Sequence, residues 1–330
     1  MFCLILLFCL CLSLQACAKQ EARSYSPEEY SLELPYKDDF RILQLADIHL
    51  GNKDNRAQQY EYLDLTIRDA DADLIILNGD LFTFADKTVA KELFAFIDSY
   101  NTPWTVSLGN HDEQCYFSVD WLTGYLNGIG SNCVFRDIQD DDVFGNSNFV
   151  INLMKDSSIF EQLIVMDSNR YNFGDYWGYD FIKDSQIDWY ERIVTSGGEQ
   201  NGGAPVDSVL FFHIPLPEFE DAWGTAQRGS SDSVLEYGEQ NEKTSCPEYN
   251  SGLFDKILEL GSSKAIIVGH DHVNNFRIQY KGVHLCYGIT STDRIYYKDG
   301  MVGGLVITIH TDHSLGFDEI YHDYDEVRDE

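Results

Sequence analysis

Short apolar runs alternate with amphipathic stretches along most of the chain, and many of the runs stop at a polar or acidic residue. Residues 40–46 are apolar up to Asp47. Residues 58–70 space their apolar positions as a helix does, and 73–77 read as a buried strand closing on Asn78-Gly79-Asp80. Residues 88–100 are again helix-like, and 104–108 predict a strand ending in Gly109-Asn110-His111-Asp112. The second half is richer in strand-forming residues. Residues 148–153 and 160–167 are strand candidates, 185–194 a helix, 197–205 a glycine-rich loop, and 206–212 a strand ending at His213. Residues 251–260 predict a helix and 265–268 a strand ending in Gly269-His270-Asp271-His272, with several short strands beyond. Residues 217–249 are polar and irregular, which predicts a long functional loop. The rhythm predicts an α/β architecture with polar residues gathered just past strand ends.

The N-terminus breaks this rhythm. Residues 1–16 carry no charge and are almost entirely apolar, yet are too short to span a bilayer comfortably, so they read as a signal-peptide core. Ala16 and Ala18 form an A-x-A-like cleavage site, and Leu14-Gln15-Ala16-Cys17 resembles a bacterial lipobox with Cys17 as the lipidated residue. Residues 18–38 are polar and read as a tether, leaving 39–330 as one domain. The expected location is outside the cytoplasm, either secreted or anchored to a membrane through Cys17.

Composition narrows the function. Of 330 residues, 44% are hydrophobic and 14% aromatic, enough to build a core. Against 23 Lys+Arg stand 55 Asp+Glu, a net charge of −32. That balance excludes the basic footprint a nucleic-acid polymer requires and opposes electrostatic docking on anionic membranes. Four of the eight cysteines, Cys3, Cys9, Cys11 and Cys17, lie in or at the end of the leader. Cys115, Cys133, Cys246 and Cys286 lie in the body without a C-x-x-C pair, so they do not form a zinc knuckle. In an exported protein these four allow three disulfide connectivities, all open at this level.

The chemistry concentrates in five strand-end fragments: Asp47-Ile48-His49, Gly79-Asp80, Gly109-Asn110-His111-Asp112, His213 and Gly269-His270-Asp271-His272. In extended chain residues i and i+2 share a face, so Asp47 and His49 are expected to reach one metal, and His270 and His272 to form a similar pair. The two oxygens of Asp80 are expected to bridge two ions. Mixed Asp, His and Asn donors suit Zn, Mn or Fe rather than Ca, and the lack of cysteine disfavours a structural zinc site. Five of the nine histidines fall in these blocks, too many for packing alone. His284, His310, His313 and His322 have no motif around them and read as core or surface. The Asp140-Asp141-Asp142 run reads as a solvated loop. The aromatic group Tyr171, Phe173, Tyr176, Trp177 and Tyr179 reads as packing or as part of a pocket wall, and Arg170 and Arg294 as exposed or as phosphate contacts.

Taken in order, the five blocks resemble the metallophosphoesterases of the calcineurin-like superfamily, over about residues 40–309. Gly178-Tyr179-Asp180-Phe181-Ile182-Lys183 with Gln186 and Trp189 is similar to the single-domain, purple-acid-phosphatase-like branch. So are the segments from His213 to Phe219, from Asn250 to Phe254 and from Gly269 to Asn274. The resemblance implies a four-layer α/β/β/α sandwich of two mixed β-sheets flanked by helices. It implies two divalent or trivalent metal ions, drawn from Mn, Zn, Fe or Mg. Asp47, His49, Asp80 and His272 would hold the first; Asp80, Asn110, His213 and His270 the second. His111 would act on the bound phosphate, and Asp112 would orient His111. The implied reaction is hydrolysis of a phosphate ester by a bridging hydroxide, with a phosphomonoesterase favoured. Alternatives are a phosphodiesterase on nucleotides or phospholipid head groups, and a non-catalytic, metal-bound binding lipoprotein. Purple acid phosphatases carry a tyrosine three residues after the bridging aspartate; Thr83 stands there, so tyrosinate–iron colour is not expected.

Overall fold

A computed structural model describes residues 25–53, 55–130, 132–174 and 176–322; the leader, its cleavage site and Cys17 lie outside them. In chain order the regular elements are β1 (Ser31–Pro35), β2 (Phe40–Leu45), α1 (Arg56–Ala70), β3 (Leu74–Asn78), α2 (Lys87–Asp98), β4 (Trp104–Ser107) and α3 (Val119–Gly128). Then come β5 (Phe149–Lys155), β6 (Ser158–Val165), β7 (Tyr171–Asn172), β8 (Gly178–Tyr179), α4 (Asp184–Gln200) and β9 (Ser208–Phe211). The chain closes with α5 (Pro217–Gln227), β10 (Ser233–Tyr237), α6 (Leu253–Leu260), β11 (Ser263–Val268), β12 (Arg277–Tyr280), β13 (Val283–Tyr287), β14 (Gly303–Ile309) and β15 (Leu315–Tyr321).

Among the described residues these strands build two mixed sheets, ordered β1-β5-β6-β9-β11-β13-β12-β10 and β15-β14-β2-β3-β4, plus a small β7-β8 ribbon. The near-continuous apolar runs follow from burial on both faces. In β6, Leu163 and Val165 join the core shared with the second sheet, while Ile164 faces the core under α4. In β9 and β11, Phe211 and Ile267 point one way and Leu210 and Ile266 the other. Helices α1, α2 and α3 contribute to the first core, and α4, α5 and α6 to the second. The result is the expected helix–sheet–sheet–helix sandwich.

The parallel strands β2, β3 and β4 point their C-terminal ends the same way, as do β6, β9 and β11. Asn78, fully buried at the end of β3, donates from Nδ2 to the carbonyls of Phe212 and Ile267 at 3.2 Å each. That side chain ties the two sheets at the edge where the five fragments converge.

Several expectations need correcting. The tether is not wholly a tether: residues 27–30 form a 3₁₀ turn, and β1 pairs in parallel with β5 at the sheet edge. One neighbour and a half-exposed pattern explain its polar sequence. The 217–249 segment is not one loop, since it contains α5, started by Pro217, and edge strand β10. The glycine-rich loop begins later than expected, because α4 runs on through Gly197 and Gly198. The short helix α3 was not anticipated. Asp140 is not simply solvated, because Tyr30 donates its hydroxyl to it. The four body cysteines are all free.

Candidate metal centre

All seven expected ligands are buried, from 0% exposure for Asn110 and His213 to 7% for His270. Six of them fall into two clusters whose ligating atoms lie within 4.8 Å of one another: Asp47, His49 and His272 in one, Asp80, His213 and His270 in the other. The resemblance implies Asp80 in the first group as well and Asn110 in the second.

The convergence does not come from extended i, i+2 pairs. Asp47, His49, Asp80 and His270 all have left-handed backbone, with φ of +56°, +51°, +53° and +80°. Non-glycine residues rarely take this conformation, and such strain collects at functional sites. The chain has left the strand by Asp47, and tight turns aim the side chains inward.

Hydrogen bonds set which atoms face the centre. The His270 amide donates to Asp47 Oδ2 at 3.0 Å, leaving Oδ1 without a partner. The His111 amide donates to Asp80 Oδ1 at 2.7 Å. Asp80 Oδ2 is thereby turned to both clusters, 3.1 Å from His213 Nε2 and 3.8 Å from His49 Nε2. The shared contact is therefore one oxygen, not two. Asn110 donates from Nδ2 to the Tyr171 hydroxyl at 3.0 Å, and its Oδ1 is left buried and unpartnered.

The histidines are oriented from behind. His213 Nδ1 donates to the Asn78 carbonyl at 2.8 Å, and His272 Nδ1 to the Tyr296 carbonyl at 2.7 Å. The ring of Tyr296 stacks on that of His272. His49 Nδ1 meets Thr83 Oγ1 at 2.8 Å, so the threonine at the tyrosine position supports a ligand. Each Nε2 is thereby directed inward. The edge of Tyr179 meets the His270 ring, so part of the aromatic group does wall the site. Phe173 and Trp177 are instead exposed, and Arg170 pairs with Glu113.

This donor set fits cations. The buried Asp47 Oδ1, Asn110 Oδ1 and His270 Nε2 have no hydrogen-bond partner, and buried polar atoms are rarely left so; His213 Nε2 meets Asp80 Oδ2 at 3.1 Å. Burial pushes His49 and His270 down to about 3, which keeps them neutral donors. Burial also opposes charge on His213, but Asp80 and Asp47 outweigh it and hold its imidazolium up to about 10. A proton there answers the same excess of negative charge that a metal would.

Two residues beside the centre differ from expectation. His111 is half-buried, with its ring 5.1 Å from that of His49, and its Nδ1 meets Gln114 Oε1 at 2.9 Å. Gln114, not Asp112, therefore orients it. The Asp112 carboxylate accepts the backbone N–H groups of Asp80, Leu81, Phe82 and Gly109. It binds two strand-end loops together. Burial and the charge of Asp80 push its carboxyl up to about 7, against the pull of those donors. Gln114, Tyr296 and Asn78 were not singled out from sequence, because their roles arise from contacts that no local motif marks.

A helix–sheet–sheet–helix sandwich with two carboxylate–imidazole clusters at one edge defines a metallophosphoesterase-type protein. The chain belongs to the calcineurin-like phosphoesterase family, whose model matches residues 40–274. It is 31% identical over 319 residues to an Arabidopsis thaliana protein named probable inactive purple acid phosphatase 29, covering 86% of this chain and 77% of the relative. It is 26% identical over 282 residues to phosphatase DCR2 of Saccharomyces cerevisiae, covering 76% of this chain but only 47% of the yeast protein. In fold it is similar to a dimetal phosphatase from Danio rerio, with a TM-score of 0.53 at 11% identity, covering 82% of this chain and 96% of that one.

Proposed function

We propose that the protein hydrolyses phosphate monoesters with two metal ions held by Asp47, His49 and His272 on one side and Asp80, Asn110, His213 and His270 on the other. The observation that carries this reading is the pair of buried carboxylate–imidazole clusters, with Asp47 Oδ1, Asn110 Oδ1 and His270 Nε2 left without a hydrogen-bond partner. When bound, two such ions supply Lewis acidity and an activated water. The chain supplies the rest. Asp80 spends Oδ1 on the His111 amide, which fixes the backbone of His111 against the shared carboxylate. Gln114 Oε1 accepts from His111 Nδ1, so Nε2 faces the departing oxygen and hands it a proton when His111 carries hydrogens on both ring nitrogens. Asn110, held by Tyr171, keeps its carbonyl oxygen on the second cluster.

An exported location, with anchoring through Cys17, belongs to the same reading and is supported by the apolar leader. Among the described residues no helix is long and apolar enough to cross a membrane. A phosphoester is the expected partner, and a nucleic-acid polymer is not, given the net charge of −32.

The second reading is a metal-bound protein without turnover. The words "probable inactive" in the plant relative's name favour it; the complete ligand set and His111 favour catalysis. The deciding experiment is hydrolysis of p-nitrophenyl phosphate and bis-p-nitrophenyl phosphate after chelation and re-addition of Mn, Zn, Fe or Mg. Metal-restored turnover of the monoester is expected. His111→Ala should lose about 10²-fold or more in kcat while retaining both ions by elemental analysis. Preference for the diester would replace the monoesterase reading. A folded, two-ion protein inert to both would establish the second reading.

A further inference from the structure

A cavity of about 330 Å³ lies beside the centre, walled by Asn52, Lys53, Thr83, Phe84, Tyr116 and Arg294. Its walls are indexed to the centre. Thr83 holds His49, and Phe84 follows it in sequence. The Tyr116 amide donates to the Ala85 carbonyl at 2.8 Å, and Tyr116 stands two residues after Gln114, the support of His111. The Arg294 amide donates to Thr292 Oγ1, whose hydroxyl donates to the Ile48 carbonyl between two ligands. Two residues after Arg294, Tyr296 supports His272.

The walls are also unusual in conformation and charge. Phe84 has φ +49° and is 57% exposed; Ile295, next to Arg294, has φ +64° and is 56% exposed. A bulky or β-branched side chain in left-handed backbone is strained, and these two recover little by burial. Tyr116 is 71% exposed. Two exposed aromatics, Phe84 on a strained turn and Tyr116 beside it, at the mouth of a polar centre mark a recognition surface. In a chain with 55 acidic residues and 23 Lys+Arg, the cavity gathers two cations and, among the described residues, no carboxylate.

We infer that this cavity receives the leaving group of the substrate, an alcohol or phenol that carries an aromatic ring and a second negative charge. The ring lies against Phe84 and Tyr116, and the second anion meets Lys53. In the reaction the oxygen of water forms a bond to phosphorus, the ester P–O bond breaks, and the departing oxygen takes a proton. Two sources share this chemistry: an aryl phosphate bearing a carboxylate, and a nucleotide whose leaving group keeps a phosphate.

The inference rests on the phosphoesterase reading, and the test separates the two. Steady-state kinetics of the metal-loaded protein are compared on phenyl phosphate, 4-carboxyphenyl phosphate, adenosine 3′,5′-bisphosphate and glycerol 3-phosphate. Phe84→Ala should raise KM about tenfold for the aromatic substrates and leave glycerol 3-phosphate unchanged. Lys53→Gln should raise KM for the substrates with a second anion and spare phenyl phosphate. The more affected of 4-carboxyphenyl phosphate and adenosine 3′,5′-bisphosphate identifies the source. Equal effects on all substrates, or none, overturn the cavity assignment while the esterase reading stands. Should the wild type turn over nothing, calorimetry with 4-carboxybenzylphosphonate in the same variants decides. Weakened binding in both variants upholds the cavity, and unaltered binding rejects it.

Discussion

At the scale of single residues, the interior holds a carboxyl group remote from the centre. Glu161, on β6, faces the apolar layer between the sheets; it is fully buried, and its Oε1 has no partner. Burial, aided by the charge of Asp207, pushes its pKa from an ordinary 4.5 up to about 8. The fold therefore favours the protonated form. Below the ordinary value both states hold the proton and Glu161 is without effect on stability. As pH rises from 4.5 through about 8 the unfolded chain ionises first, and the fold loses stability across that window. Glu161→Gln should remove this loss, raising the thermal midpoint over wild type by about 2 °C or more near pH 8 with little difference near pH 5. Equal midpoint differences at the two pH values would show that Glu161 does not titrate as argued. The ligands, unlike Glu161, could be read from sequence, because Asp, His and Asn immediately after apolar runs have no ordinary packing role. Their supports could not. Asn78 and Tyr296 act through backbone carbonyls, Thr83 is marked in sequence only as the replacement of a tyrosine and not as the support of His49, and Gln114 carries no mark that separates it from a surface residue.

At the scale of elements, the strand-end turns work because glycine sits where a side chain would collide with a ligand. A Cβ on Gly109 would lie 2.2 Å from the Asp80 nitrogen and 2.3 Å from its Oδ1. One on Gly79, at φ +87°, would lie 2.5 Å from His213 Cγ. Gly109→Ala should therefore leave the sandwich intact by circular dichroism, lower metal content below two ions per chain, and reduce kcat by about 10²-fold. Full metal content with unaltered kcat would mean that the turn yields without moving Asp80. Elements buried on both faces were readable as apolar runs, which is why β3, β4, β9 and β11 lie close to where the pattern placed them. Edge elements were not. Both β1 and β10 have one neighbouring strand and exposed positions, so their sequences look like linker. In α5 a single buried face of Phe219 and Ala222 is hidden among acidic residues.

At the scale of the whole molecule, a net charge of −32 surrounds a centre built to receive an anion. The far field would oppose capture of the proposed phosphoester, and the local cation Lys53 would act over a shorter range. Raising salt from about 0.01 M to about 0.15 M shortens the screening length from ~30 Å to ~8 Å, which removes more of the repulsion than of the local attraction. The expected result is a rise of about twofold or more in kcat/KM for a dianionic monoester over that range. A fall would mean that the positive potential at the site dominates the approach. The sandwich itself was legible at this scale from the order of strand ends and helices, whereas the pairing of β2 with β14 joins segments too far apart for any local pattern to reveal.

That last pairing bears on how the protein is made. Strand β2, which presents Asp47 and His49, lies between β3 and β14, so one of its two neighbours comes from residues 303–309. The last two ligands follow β11, more than 220 residues after the first. Contacts this distant in sequence form late, because a long loop must close before they return any free energy. During synthesis the emerging chain holds only isolated halves of each cluster, and neither sheet edge is complete. Any ions these clusters take must therefore wait until the segment carrying His270 and His272 has been made.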